Sequence, residues 1–153
     1  MAATSAASPT KQLAGFIAKF DPAMQRLIKS CRTAVRERMP SANELVYDNY
    51  NFFVIGYSST ERPSDAIVSL ASSARGVNLY FIYGKWLPDP DRVLLGGGSQ
   101  GRYVRLPTPA TLSEPAVAAL LKAAIADADP PLPRTGRGKL VIRSISAKQR
   151  PRK

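Results

Sequence analysis

Residues 44–58, ELVYDNYNFFVIGYS, decide the fold of this 153-residue chain. The stretch is rich in Val, Ile, Tyr and Phe, which favour β-strands, and it divides into two consecutive strand-like runs. Five such runs occur in all: Glu44–Tyr50, Asn51–Ser58, Asp65–Ser72, Val77–Tyr83 and Arg102–Leu106. We expect a hairpin loop with a positive φ at Gly76 between the third and fourth runs. Consecutive strands with short links predict an antiparallel sheet.

Helical periodicity flanks these strands on both sides. Apolar residues recur at helical spacing over residues 13–20, and a second amphipathic helix follows over 22–38, where Asp21 is placed to cap it. After the strands, Ser113 is placed to cap a third helix with an apolar stripe over 117–125. The sequence therefore predicts an α+β fold: an antiparallel sheet of about five strands, with two N-terminal helices and one C-terminal helix packed against it.

The net charge of +11 is concentrated at one end of the chain. Residues 1–129 carry 14 Lys and Arg against 11 Asp and Glu, whereas residues 130–153 carry 8 and no acid. Lys139–Ser144 is short and β-like, and we expect the ending AKQRPRK to be disordered. We predict a disordered N-terminus at 1–10, one α+β domain at 11–129, and a Pro-containing linker with a basic tail at 130–153.

The basic tail has two interpretations, and both stay open. It is either a disordered, solubilising end or a surface that binds polyanions such as nucleic acid or polyphosphate, with an affinity that falls as salt rises. The predicted polyanion-binding residues are Arg134, Arg137, Lys139, Arg143, Lys148, Arg150, Arg152 and Lys153.

Three counts exclude most catalytic chemistry. There is no histidine, which excludes Ser-His-Asp and Cys-His nucleophiles and His-ligated metals. The one cysteine, Cys31, can form neither an internal disulfide nor a zinc cage, and its apolar helical stripe predicts a core residue. The acid pairs Asp89/Asp91 and Asp127/Asp129 are too small for Ca²⁺ or Mg²⁺ and suit turns. We expect no enzyme, no cofactor and no metal site.

The aromatic residues suggest one candidate ligand site. Nine of the twelve lie between Tyr47 and Trp86, which is typical of strands packed into a core. The functional alternative is a cleft on the sheet, in which hydroxyl, amide and carboxylate groups stand beside apolar walls. The residues of this predicted cleft are Tyr47, Asp48, Asn49 and Tyr50.

The run GGGSQG, residues 96–101, matches a dinucleotide-binding pattern in letters alone. That pattern needs a following helix, whereas a strand and two prolines follow here. We expect a flexible hairpin turn. The alternative is a backbone nest for a phosphate, assisted by Arg102 and Arg105.

Several segments together resemble the YdhG-like family, a bacterial domain of unknown function. They are the stretch ELVYDNYNFFVIGY, the run ERPSDAIVSLA, the turn LPDPDRVLLGGGSQGRYVRL and the ending GRGKLVIRSISAKQRPRK. The likeness covers about residues 12–150 and implies a compact α+β domain with helices against an antiparallel sheet. It implies no catalytic residues, because none are established for the family.

Some members of that family are described as frataxin-like iron chaperones, a role that requires an acidic ridge to capture iron. Helix 22–38 instead carries five cations and the single acid Glu37. Iron binding is therefore the weakest of the functional hypotheses. We expect a non-enzymatic binding or accessory protein, with polyanion binding as the main alternative. The start of the sequence lacks a secretory signal and no apolar run reaches the length of a membrane span, which predicts a cytoplasmic protein with no membrane contact.

Overall fold

The computed structural model describes residues 7–153 and has the expected α+β class. Its helices are α1 (Pro9–Ile17), α2 (Pro22–Arg38) and α3 (Pro115–Ala126). Its strands are β1 (Asn43–Asp48), β2 (Phe53–Ser58), β3 (Ala66–Ser73), β4 (Gly76–Phe81), β5 (Arg102–Arg105) and β6 (Leu140–Ile145). All six strands form one sheet in the order β5-β4-β3-β2-β1-β6.

The sheet is antiparallel from β1 to β5, as the short links between these strands predict. β6 differs, because it pairs parallel with β1 at the edge of the sheet. A parallel neighbour needs a long crossover, which here is the path from the end of β1 through the rest of the fold. β6 is thus placed by a long crossover beside β1, whereas each of β1 to β4 pairs with the next strand along the chain.

One row of apolar side chains crosses the whole sheet. The backbone pairing places these residues opposite one another on successive strands: Ile142, Val46, Ile55, Leu70, Leu79 and Val104. They share one hydrophobic core with the buried stripes of α1, α2 and α3. Cys31 is fully buried in this core, as its stripe predicts, and burial raises the pKa of its thiol to about 11.

Local details agree with the sequence at one helix and one hairpin turn and differ at two helix starts. α2 spans Pro22–Arg38 as expected, and Gly76 has a φ of +149° in the β3–β4 hairpin. The predicted Ser113 cap is wrong, because Ser113 ends a 3₁₀ turn and Glu114 occupies the cap position of α3. Of the predicted disordered N-terminus 1–10, residues 1–6 lie outside the described residues. Pro9 and Thr10 already belong to α1, whose cap is Ser8.

The expectation of a disordered C-terminal ending is wrong. The β-like run predicted at Lys139–Ser144 is confirmed as β6, but the ending AKQRPRK after it stays on the domain, where Arg152 is 5% exposed. The Arg150 amide donates to the Tyr50 carbonyl at 2.8 Å, and the Gln149 side chain donates to the Asp48 carbonyl at 2.9 Å. The physical reason is that the buried Asp48 carboxylate on β1 needs a cationic partner, which Arg152 supplies. Composition alone does not reveal this need. Residues 140–152 therefore belong to the fold.

No helix between residues 7 and 153 is long and apolar enough to cross a membrane. The cytoplasmic location stays a prediction.

Candidate functional site

The structure separates the four residues of the predicted cleft. Tyr47 is half-buried, Asp48 is buried, and Tyr50 is 48% exposed at the β1–β2 turn. The backbone N–H of Asn49 donates to the Phe52 carbonyl, and the side-chain oxygen of Asn49 accepts a hydrogen bond from the Ser144 hydroxyl. None of the four lines either of the two cavities described below. They shape a turn and an ion cluster.

Asp48 is the centre of a buried ion cluster. Its Oδ2 accepts from the Lys19 ammonium at 2.6 Å, and its Oδ1 accepts from the Arg152 guanidinium at 2.8 Å. The same Arg152 nitrogen donates to the Asn49 carbonyl, and the guanidinium lies 6.0 Å from the centre of the Phe20 ring. A buried carboxylate needs such partners, because an unpaired charge in the interior costs several kcal/mol, on the order of 3–5. This cluster joins the N-terminal helices, β1 and the C-terminal segment.

A second carboxylate, Glu44, is also buried, and no pattern in the sequence indicates this. It accepts two hydrogen bonds from Arg32, at 2.8 and 2.9 Å, and one from the Tyr57 hydroxyl at 2.9 Å. Burial and the nearby Glu44 charge raise the pKa of Tyr57 well above its usual value, and the bond to Glu44 raises the pKa of Arg32. Arg36 stands 3.7 Å from the same carboxylate. Arg32 and Arg36 therefore balance the charge of this acid, Tyr57 adds a hydrogen bond to it, and we assign Glu44 a structural role.

The glycine loop and its two arginines do not form a free phosphate cradle. Leu95 and Tyr103 pair across the loop, which makes residues 96–102 a turn between them. Arg102 donates to the carbonyls of Gly98 and Gly101, so its guanidinium holds the loop. Arg105 is exposed, its guanidinium lies 5.9 Å from the Tyr103 ring centre, and the residue lines a separate groove.

The eight tail cations are not equivalent. Arg152 is buried on Asp48, Lys139 pairs with Glu61 at 3.0 Å, and Arg150 donates to Asn51 at 2.8 Å. In the described part of the chain, the other five are exposed and make no ion pair: Arg134, Arg137, Arg143, Lys148 and Lys153. The fold thus uses part of the basic tail and leaves the rest at the surface.

The candidate site is a cavity of about 460 Å³ at the end of α3, which we call the α3 cleft. Its walls come from the loop before β3, the segment after β4 and the last turn of α3. The buried ring of Phe81 and the side chain of Ile67 line its apolar part. This is the size of cavity that takes small organic ligands, whose sites span roughly 300–1,000 Å³.

Two aromatic side chains with large exposed fractions border the α3 cleft. Trp86 is 62% exposed and Tyr83 is 46% exposed, and their ring centres are 6.4 Å apart at an angle of 48°. The Tyr83 hydroxyl donates to the Ser64 carbonyl at 2.8 Å, which fixes the position of its ring. Two neighbouring exposed rings beside a cavity provide flat apolar surface for a ligand.

Four charged residues line the same cleft. Arg62 stands 3.5 Å from Asp65, and that carboxylate also accepts a hydrogen bond from Thr60 at 2.7 Å. Asp127 and Asp129 are exposed, and across residues 7–153 neither makes an ion pair or a side-chain hydrogen bond. The turn interpretation of this acid pair therefore misses that both residues line a cavity.

A second cavity, also of about 460 Å³, lies at the other end of the sheet, and we call it the hairpin groove. Met24, Leu27 and Phe52 supply apolar surface, and Arg75 and Arg105 are its charged residues. Both arginines are exposed, and no buried polar group anchors a ligand there. The α3 cleft has the more specific chemistry of the two.

Metal chemistry has no visible ligand set in the described residues, because no group of three or more His, Cys, Asp or Glu side chains is placed to hold an ion. No protein-family model matches this chain, and neither a curated protein nor a solved structure matches it. The function must therefore be argued from the site.

Proposed function

We propose that this protein is a small, non-enzymatic binding or accessory domain that holds a small organic ligand in the α3 cleft. The observation that carries the proposal is the pair of exposed rings of Tyr83 and Trp86 at the border of a cavity of about 460 Å³, with the Tyr83 ring held by its hydrogen bond to Ser64. Large aromatic side chains are normally buried, and exposed ones next to a cavity mark a place where something binds. The proposal moves the predicted site from Tyr47–Tyr50 to the end of α3.

The non-enzymatic part of the proposal rests on the residue types at hand. The α3 cleft holds no histidine, cysteine or lysine in its lining; Asp127 and Asp129 lie at an exposed helix end, and Asp65 is paired with Arg62. A general base or nucleophile needs a neighbour that activates it, and none lines the cavity. Recognition by shape and charge needs no such group.

A thermal-shift screen over metabolites and nucleotides tests the proposal, because a ligand that binds the native state alone raises the melting temperature. Ala128→Phe fills the cleft, since Ala128 lines it. Ala126→Phe adds the same ring to an exposed position of α3 outside the lining. The proposal expects hits that Ala128→Phe abolishes and Ala126→Phe keeps. Hits that survive both substitutions contradict it.

A second candidate function is weak, sequence-independent polyanion binding, favoured by the five exposed and unpaired cations of the tail. Its test is the salt dependence of binding to duplex DNA, with a slope of log K against log salt near −0.9 per phosphate contact, as a rough guide. Because the tail belongs to the fold, truncation does not serve. Arg134→Gln, Arg137→Gln and Lys148→Gln should reduce the slope in a folded protein, and an unchanged slope would exclude these residues.

We also propose that the chain belongs with the YdhG-like family, on the sequence resemblance and the α+β class. We do not extend the proposal to iron, since α2 exposes Arg26 and Lys29 and ends in Arg36 and Arg38. A basic helix repels iron cations.

A further inference from the structure

We infer that the ligand of the α3 cleft is an organic cation, a substituted ammonium group carried on a small molecule. The inference rests on the proposed function, because it assigns a chemical class to the ligand of the same cleft. It is argued from the charges of the lining, the end of α3 and the aromatic pair.

The charges that line the cleft favour a cation. Arg62 is paired with Asp65, which leaves Asp127 and Asp129 uncompensated among the residues of the lining. This excess of negative charge is unusual in a chain whose net charge is +11. A ligand with one positive charge would neutralise half of it.

The end of α3 adds to the negative potential. A helix carries about −0.5 of a charge at its C-terminus, where basic side chains are favourable and acids are not. α2 follows this rule, with Arg36 and Arg38 in its last turn. α3 has no basic residue in its last turn, and Asp127 follows it directly. An acid at this position costs the helix some stability, and a bound cation would offset that cost.

The aromatic pair selects the kind of cation. The face of a Trp or Tyr ring attracts a positive charge within about 6 Å of its centre, and a substituted ammonium also gains apolar contact there. Trp86 already shows this property, since the Lys85 ammonium lies 5.6 Å from its ring centre. A hard metal ion would instead need about six oxygen ligands. The two aromatic rings and the two acids of the cleft therefore suit a substituted ammonium better than a metal ion.

Two positive groups oppose the inference in part. Arg62 lines the cleft but is engaged with Asp65 and is 76% exposed. Lys85 lies outside the lining and is also exposed, so water screens its charge. Within residues 7–153, neither group forms an ion pair with Asp127 or Asp129.

Three probes of nearly equal shape test the charge preference: choline, its neutral isostere 3,3-dimethyl-1-butanol, and the anion 3,3-dimethylbutyrate. Trp86 is the one tryptophan of the chain, so its fluorescence reports binding at the cleft itself. We expect choline to bind about tenfold more tightly than the alcohol, and the anion to bind more weakly still. This order is the signature of a cation site.

Substitutions at the acids complete the test. Asp127→Asn and Asp129→Asn should each weaken choline binding severalfold and leave the alcohol unchanged. Glu114→Gln is the matched control, because Glu114 is an exposed acid at the other end of α3 and should leave choline binding unchanged. Added salt should weaken choline binding in the wild type and have less effect in the two Asn variants.

The outcomes separate this inference from the proposed function. Equal or tighter binding of the alcohol or the anion overturns the cation preference, while the cleft keeps its place as the ligand site. If choline does not bind while the alcohol or the anion does, the cation preference is likewise overturned and the cleft keeps its place as the ligand site. If all three probes fail and Ala128→Phe has no effect on any hit of the thermal-shift screen, the inference and the proposed function both fall.

Discussion

Two pairs of carboxylates in this protein have opposite surroundings. Glu44 and Asp48 on β1 are buried, and each is held by two cationic side chains within 4 Å. Asp127 and Asp129 after α3 are exposed and have no cationic partner in the part of the chain that the structure describes. Burying a charge is so costly that the fold must supply its partners, whereas an exposed acid costs little to leave unpaired. We therefore assign the β1 pair to stability and the α3 pair to a ligand.

The largest expected effect tests the structural half of this comparison. Truncation after Asp129 removes β6 and Arg152, and with them the apolar contacts of Leu140 and Ile142 and a partner of Asp48. A broken buried pair costs about 3–5 kcal/mol, and complete burial of an apolar side chain is worth about 1.5–3 kcal/mol, of which the partly buried Leu140 and Ile142 each contribute a fraction. Since a domain has only about 5–15 kcal/mol in total, we expect little or no folded protein by circular dichroism and urea unfolding. A truncated chain with native stability would show that the tail is dispensable.

A single substitution isolates the buried ion pair. Arg152→Met keeps an unbranched apolar stem but leaves the Asp48 carboxylate with Lys19 alone, and we expect the free energy of unfolding to fall by about 3–5 kcal/mol. Lys153→Met is the matched control, because Lys153 is exposed and should change stability by no more than about 0.5 kcal/mol. Urea unfolding measures both. If the two substitutions lower the free energy of unfolding equally, the ion pair of Asp48 does not stabilise the fold.

A smaller effect comes from the hydrogen bond between Tyr57 and Glu44, and it depends on pH. Tyr57→Phe should cost about 1–3 kcal/mol at pH 7, because a buried carboxylate oxygen loses a donor. The pKa of Tyr57 is raised in the folded state, so the stability that the neutral phenol contributes is complete below pH 10 and is lost as pH rises further. The advantage of the wild type over Tyr57→Phe should therefore shrink above pH 10, by up to about 1.4 kcal/mol per pH unit. A difference that stays constant to pH 11 would contradict the raised pKa.

Much of the fold could be predicted because its elements are local. α2 and the β3–β4 hairpin follow from periodicity, a capping position and Gly76, all within short stretches of sequence. β6 could not be placed in the same way. Its partner β1 lies almost 100 residues earlier, and the reason for the docked ending, a buried Asp48, is visible only once β1 has been assigned an inner face.

The candidate site was only partly visible in the sequence. Tyr83 and Trp86 belong to the aromatic-rich segment, and Asp127 and Asp129 stand out as an acid pair, but nothing in the sequence shows that they border one cavity. One local feature could have drawn attention to them. Acids directly after a helix oppose its dipole, and such a departure from a local rule is expected where function outweighs stability. Tyr47–Tyr50 offered the right residue types, but a turn and a buried ion pair use them.

The measurement that tests the comparison most directly is urea unfolding of the Asp127→Asn, Asp129→Asn double variant, with and without choline. We expect its free energy of unfolding without choline to equal that of the wild type or exceed it by about 0.3–1 kcal/mol, because two charges that oppose the α3 dipole are removed. We also expect choline to stabilise the wild type and to have little effect on the double variant. A loss of stability above about 1 kcal/mol together with full stabilisation by choline would place these acids in the structural class, beside Glu44 and Asp48.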